Sequence, residues 1–147
     1  MSGALPTGKI EYQIQIGEFA AQEAWDSVLA GKSGITRVTR FDASRLSSQI
    51  AGEVQNFEVS QYLAPKEARR MDIFIHYGMV AGIEAFKDCG LEVTPENAER
   101  IGVNIGSGIG GLPMIEDTHN TYLESGPRKI SPFFIPGTII NMISGNL

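Results

Sequence analysis

Cysteine is almost missing from this chain: Cys89 is the only one in 147 residues. A single thiol excludes an internal disulfide, so the hydrophobic core has to hold the fold, and a reducing compartment, the cytoplasm, is expected. No apolar run reaches the roughly 18 residues that a membrane span needs, so no span is expected. The first seven residues lack the charged and apolar regions of a signal peptide. A basic excess is also missing. Twelve Lys and Arg against 17 Asp and Glu give a net charge of -5, which argues against a nucleic-acid partner. There is no internal repeat and no low-complexity tract. What remains is an ordinary globular composition, 42% hydrophobic and 20% charged, long enough for one domain with a real core.

Hydrophobic spacing gives the organisation. Residues 1–8 are small and turn-prone, and are expected to be disordered or foreign to the domain. Ile10, Tyr12, Ile14 and Ile16 alternate with polar residues, which predicts a strand over 9–16 with one solvated face. Trp25, Val28 and Leu29 at i, i+3, i+4 predict a helix over 19–30, closed by Gly31. Two short alternating stretches, 34–41 and 50–57, flank a serine-rich segment at 42–48, expected to form one helical turn, and suggest an extended surface excursion. Met71, Phe74, Ile75, Met79, Ile83 and Phe86 predict one long helix over 65–89, opened by Pro65 and ended by Gly90. Gly78 and Gly82 inside it each cost about 1 kcal/mol relative to Ala, which suggests close approach of another backbone. Thr94, Pro95 and Glu96 signal a short helix. An apolar strand is expected over 101–105, then helices over 114–123 and 138–144. Mixed strand and helix predicts an α/β fold. The chain stops at Leu147 in mid-pattern, and a cut is expected there.

Few residues carry obvious chemistry. Gly106-Ser107-Gly108-Ile109-Gly110-Gly111 after an apolar run formally matches a dinucleotide fingerprint. The second strand and terminal acid of that unit are not found near Glu124, so nicotinamide binding is not expected. The glycines instead let the backbone pass close to something, either another element or a ligand. Cys89 falls at a helix C-terminus, where the dipole disfavours a thiolate, and is taken as a small packing residue rather than a nucleophile. His76 is expected to be a satisfied, half-buried histidine, and His119 to lie on a polar helix face. Lys66, Arg69 and Arg70 form a cationic face at the predicted start of the long helix, where the dipole disfavours cations. Arg128 and Lys129 add a second basic pair. These groups are either a solvated face or a dock for an acidic partner.

Several longer runs carry more information than any single motif. They are Leu29-Ala30-Gly31-Lys32-Ser33-Gly34-Ile35, Phe41-Asp42-Ala43-Ser44, Lys66-Glu67-Ala68-Arg69-Arg70-Met71-Asp72, Gly106 through Leu112, and Gly126-Pro127-Arg128-Lys129-Ile130-Ser131-Pro132-Phe133-Phe134-Ile135-Pro136. In this order and spacing the chain resembles the elongating bacterial β-ketoacyl-acyl-carrier-protein synthases, from about Ala24 to Leu147. The resemblance implies part of a thiolase-like α/β fold, the N-terminal half of an α-β-α-β-α layered homodimer. It divides the chain into a divergent segment, 1–16, and a partial ketoacyl-synthase domain, 17–147.

The resemblance also implies roles. Gly108 and Ile109 would line an acyl pocket, with Phe134 at its far end across the dimer contact. Lys66, Arg69, Arg70, Arg128 and Lys129 would meet the acidic face of acyl carrier protein. The partners implied are acyl carrier protein, an acyl chain and a second subunit, and neither a metal nor another cofactor is called for. The family's initial strand and glycine-rich turn are not reproduced in residues 1–16. Its nucleophilic cysteine lies just beyond the position of Leu147, and its catalytic histidines and lysine lie later still. The chain alone is therefore expected to be inactive. Two other outcomes remain: a carrier-binding or synthase-binding module without catalysis, or a truncation product exposing Ile139, Ile140, Met142 and Ile143.

Overall fold

The computed structural model describes residues 20–147. The expectations for residues 1–16 lie outside the described residues. Two compact units follow one another along the chain, Met1–Phe57 and Glu58–Leu147.

In the first unit, helix α1 (Ala20–Leu29) matches the predicted segment. It ends as the sequence suggests, because Gly31 at φ 64 takes a left-handed conformation open to a residue without a side chain. The amides of Gly31 and Lys32 then turn back onto the carbonyls of Val28 and Ser27, the paired bonds of a Schellman cap. The flanking excursion forms an antiparallel pair, β1 (Ile35–Arg37) and β2 (Ile50–Gly52), with Thr36 opposite Ala51. Thr36 and Ala51 share the half-buried face, and Ile35 and Ile50 face outward.

So short a ladder is stapled by one side chain. Glu53 is buried, and its carboxylate accepts from the hydroxyl and amide of Thr39 and from the amide of Arg40. Residues 42–48 form turns rather than a helical segment. There the Asp42 carboxylate accepts from the Ser44 amide in an Asx turn, a local bond that competes with a helix.

In the second unit, the long helix predicted over 65–89 is broken in two. Helix α2 (Pro65–Ala68) is a single turn, and α3 (Ile73–Asp88) follows after a gap. The break is made by Asp72. Its backbone is extended at ψ 158, its amide leaves the helix to donate to the Gly137 carbonyl, and its side chain caps α3 at the Phe74 amide. His76 is satisfied as expected: its Nε2–H donates to the Ala68 carbonyl at 2.8 Å, tying α2 to α3.

Ile75 and Met79, one turn apart on α3, meet Leu63 and Ile143 in the core. Phe86 on the same helix stays exposed. Full burial of side chains of this size contributes about 1.5–3 kcal/mol each. The glycines of α3 do permit close approach, but of side chains rather than of a backbone. A Cβ on Gly78 would stand 2.5 Å from Ile143 Cγ2, and one on Gly82 would overlap Leu147.

Residues 101–105 form no strand. Ile105 is held instead by Ser144, whose hydroxyl accepts from its amide at 2.9 Å. The short helix signalled at Thr94 shrinks to a 3-10 turn over Ala98–Arg100. Helix α4 (Leu112–Ser125) contains the predicted one. The helix expected over 138–144 is replaced by α5 (Phe134–Thr138) and α6 (Met142–Asn146). They separate at Ile139, which is extended, next to a Thr138 carbonyl that accepts from Gly111. Of the four apolar residues that the truncation-product alternative would leave exposed here, Ile143 is instead in the core at 2% exposure and Met142 is half-buried.

Two outcomes follow. Gly78→Ala lowers stability by roughly 1–3 kcal/mol, because overpacking against Ile143 outweighs the helix-propensity gain of about 1 kcal/mol. In urea titrations Gly78→Ala combined with Ile143→Ala costs less than the sum of the two single changes. The Glu53 carboxyl is held below its ordinary value of 4.5, chiefly by the hydroxyl and amide of Thr39. A depressed acid stabilises the fold above its ordinary value, and that contribution is lost as pH falls through the depressed one. Protection of the Thr39 amide, corrected for intrinsic exchange, therefore falls in acid, and Glu53→Gln removes that acid step.

Candidate functional site

The glycine-rich loop and the basic residues lie in the second unit around one buried carboxylate. Asp72 is 4% exposed. Its Oδ1 accepts from the Phe74 amide at 3.3 Å, at the start of α3, and its Oδ2 accepts from the Met114 amide at 2.8 Å, at the start of α4. One carboxylate thus serves two helix N-termini, where unpaired amides and the helix dipoles both favour negative charge. Its own amide donates to Gly137 in α5 at 3.0 Å, and the Gly111 amide donates to Thr138 at 3.0 Å.

This arrangement divides the glycines. Gly110 has φ 81, and a Cβ there would lie 2.7 Å from the Thr138 carbonyl oxygen. A Cβ on Gly111 would lie 2.9 Å from Thr138 Cα and 3.0 Å from Asp72 Cβ. These two glycines let the loop press against the chain between α5 and α6. Gly106 and Gly108 meet nothing within 4 Å. Of the two readings open from sequence, approach to another element therefore accounts for Gly110 and Gly111 only.

Ile109 projects from the loop at 73% exposure, one residue from the anchored part. Phe134, at the start of α5, is half-buried. Met114 links the two regions, since its Sδ lies 2.8 Å from where a Cβ on Gly137 would stand. The N-terminus of α4 is no phosphate cradle: Asp72 already holds the Met114 amide, and no strand precedes the loop within 101–111.

The basic residues are placed differently from the expectation. Because α2 is one turn long, Lys66 lies in its last turn and Arg69 is its C-cap. Arg69 Nε donates to the Pro65 carbonyl at 3.1 Å, a second bond to a group that also accepts the Arg69 amide. The cations therefore precede the long helix instead of forming its first turns, which is where the dipole penalty was expected. Arg70 lies over the Phe133 ring, 4.1 Å from its centroid, in a cation–π contact. That contact joins the first basic group to the segment following Arg128 and Lys129, which are exposed in a 3-10 turn over Pro127–Lys129.

Cys89 is the C-cap of α3 and exposed, so it does not pack in the interior; its thiol donates to the Phe86 carbonyl at 3.2 Å. His119 lies exposed on α4, as the sequence suggested. The residue that sequence reasoning undervalued is Asp72. Its signal was an Asp directly before the apolar run Ile73-Phe74-Ile75, an N-cap pattern hidden because the helix was read straight through it.

Residues 12–147 match the family described as Beta-ketoacyl synthase, N-terminal domain. The chain is 56% identical over 126 residues to the 3-oxoacyl-[acyl-carrier-protein] synthase 2 of Vibrio cholerae, covering 86% of this chain and 30% of that protein. It is 45% identical over 123 residues to the protein of the same name from Staphylococcus aureus, covering 84% and 30%. The chain thus spans about 30% of the length of these curated relatives. Among solved structures, a β-ketoacyl synthase from Burkholderia phymatum superposes with a TM-score of 0.67 at 22% identity, over 86% of this chain and 31% of that one. A chain from the complex of a type II PKS acyl-carrier protein with its ketosynthase superposes with a TM-score of 0.57 at 26% identity, over 63% and 26%. The mixed helix and strand of the described residues is part of this thiolase-like α/β fold.

The two kinds of glycine respond differently to a methyl group. Gly111→Ala costs about 1–3 kcal/mol by forcing the loop off Thr138 and Asp72. Gly108→Ala stays within about 0.5 kcal/mol of the parent. Thermal unfolding of the two variants reads the contrast directly.

Proposed function

The chain belongs to the β-ketoacyl synthase family, and from that premise we propose that it is the N-terminal part of a 3-oxoacyl-[acyl-carrier-protein] synthase, supplying acyl-pocket wall and carrier-protein dock. The observation that carries the reading is Ile109, a branched apolar side chain left exposed on a loop whose base is anchored by Gly110 and Gly111. An exposed apolar residue on an anchored loop suits a hydrocarbon chain, since each buried methylene contributes about 0.8 kcal/mol. Gly108 leaves open space beside it, and Phe134 is the second wall residue. Lys66, Arg69, Arg70, Arg128 and Lys129 form the dock for acyl carrier protein, with Arg70 and Phe133 joining the two basic groups. The working enzyme is a homodimer.

In the reaction, an acyl group passes from the carrier's thiol to a cysteine of the enzyme, releasing the carrier. Malonyl-carrier protein then loses carbon dioxide. The resulting carbanion attacks the acyl thioester, a carbon–carbon bond forms, and the cysteine thiolate leaves. Backbone donors stabilise the oxyanion formed on the way. Cys89 is not that cysteine: it lies at the C-terminal end of α3, bonded to a carbonyl, the end of a helix that opposes a thiolate. The chain by itself therefore binds its partners without turning them over.

The reading is tested with hexanoyl- and dodecanoyl-acyl carrier protein titrated against the chain at several salt concentrations. Binding weakens with salt, and Lys66→Glu combined with Lys129→Glu weakens it further by on the order of tenfold. Each exposed ion pair contributes up to roughly 1 kcal/mol, and reversal turns attraction into repulsion. Ile109→Trp weakens the dodecanoyl form relative to the hexanoyl form. No binding at low salt rejects the dock, and equal effects on the two acyl lengths reject the wall.

A further inference from the structure

We propose that Asp72 is a positioning residue for acyl-chain discrimination: its carboxylate fixes the start of α4, and with it the Ile109 loop, against the helix carrying Phe134, which its backbone amide holds. The inference rests on the reading of Ile109 and Phe134 as pocket wall. Both are tied to Asp72 through residues close to them in the chain. Oδ2 holds the Met114 amide at 2.8 Å, five residues after Ile109, and Asp72 Cβ limits the approach of Gly111, two residues after Ile109. The Asp72 amide holds the Gly137 carbonyl at 3.0 Å, three residues after Phe134. The bond from Gly111 to Thr138 closes the ring between loop and helix.

The geometry is stiff because each contact leaves no slack. Gly111 and Gly137 admit no side chain: a Cβ on Gly137 would lie 2.6 Å from the Arg70 carbonyl oxygen. The carboxylate has no water to relax into, being buried and bonded through both oxygens. An N-cap for α3 alone would need only one oxygen and a shorter side chain, since Ser and Asp cap about equally well. The second oxygen does what capping α3 does not require, by reaching across to α4.

That difference separates positioning from capping. Asp72→Ser still caps α3 at Phe74 but is too short to reach Met114. Asp72→Asn keeps the length but leaves one of its two sites without an acceptor. Each variant of the 147-residue chain is measured in two ways. Hydrogen exchange compares residues 107–114 and 134–139 with Ile75, Met79 and Val80 in the α3 core. Binding of hexanoyl- and dodecanoyl-pantetheine gives the ratio of the two affinities.

The proposal expects faster exchange in both wall segments, unchanged protection in α3, and a ratio that narrows about fourfold or more, the weight of one methylene losing its wall. Wall segments as protected as in the parent, or a ratio unchanged in both variants, overturn it. Loss of α3 protection in both variants also overturns it, because Asp72 is then a folding residue. Failure of the underlying reading looks different. There, the parent chain itself shows no preference between the two acyl lengths, or Ile109→Trp leaves the preference as it was.

Discussion

A carboxylate removed from water keeps its charge only where fixed donors replace the water it has lost. At Asp72 those donors are amides at the starts of two different helices, and the same residue's amide is spent on a third. Each of these two helix starts carries unpaired N–H groups and a partial positive charge, so both converge on the anion that suits them, while the third element is held by the backbone amide. Losing a cap typically costs about 0.5–2 kcal/mol, and here two caps share one side chain. Much of the second unit's arrangement follows from this sharing: the break between α2 and α3, the start of α4, and the fit of α5 against the loop.

The break has electrostatic consequences of its own. Once α3 begins at Asp72, Lys66, Arg69 and Arg70 precede the long helix instead of forming its first turns. They lie along and just after a single turn, where the Arg69 side chain adds a second bond to the Pro65 carbonyl and Arg70 rests on Phe133. The first unit uses a similar device on a smaller scale, with Glu53 drawing Thr39 and Arg40 together across a ladder only three pairs long. In both units a buried acid closes what apolar packing alone would leave open.

Glycine has three different uses in this chain. Gly31 closes a helix by its positive φ, and Gly78 and Gly82 admit side chains of the C-terminal helix into the groove of α3. Gly110 and Gly111 bring loop and chain together. Only the first use is local, and only the first was read correctly from sequence in detail. Gly78 and Gly82 announced a close contact but not its partner. The dinucleotide-like spacing mixed two anchored glycines with two open ones, which no count of residues separates.

Local chemistry was legible where it depends on neighbours in the chain. The helix stop at Gly31, the helix period of α3 and α4, the satisfied His76 and the ordered family runs all rest on contacts a few residues apart or on spacing itself. Tertiary contacts decided the rest. Residues 101–105 have the composition of a strand, but a strand needs a partner to bond with, and Ser144 took the Ile105 amide instead. Residues 65–89 have an unbroken helical period, but Asp72 gained more from capping two helices than from continuing one. Residues 138–144 were divided because Thr138 gave its carbonyl to Gly111. In the two helical cases a backbone group had a local partner available, and in all three a donor or acceptor distant in sequence, positioned only by the folded core, took it.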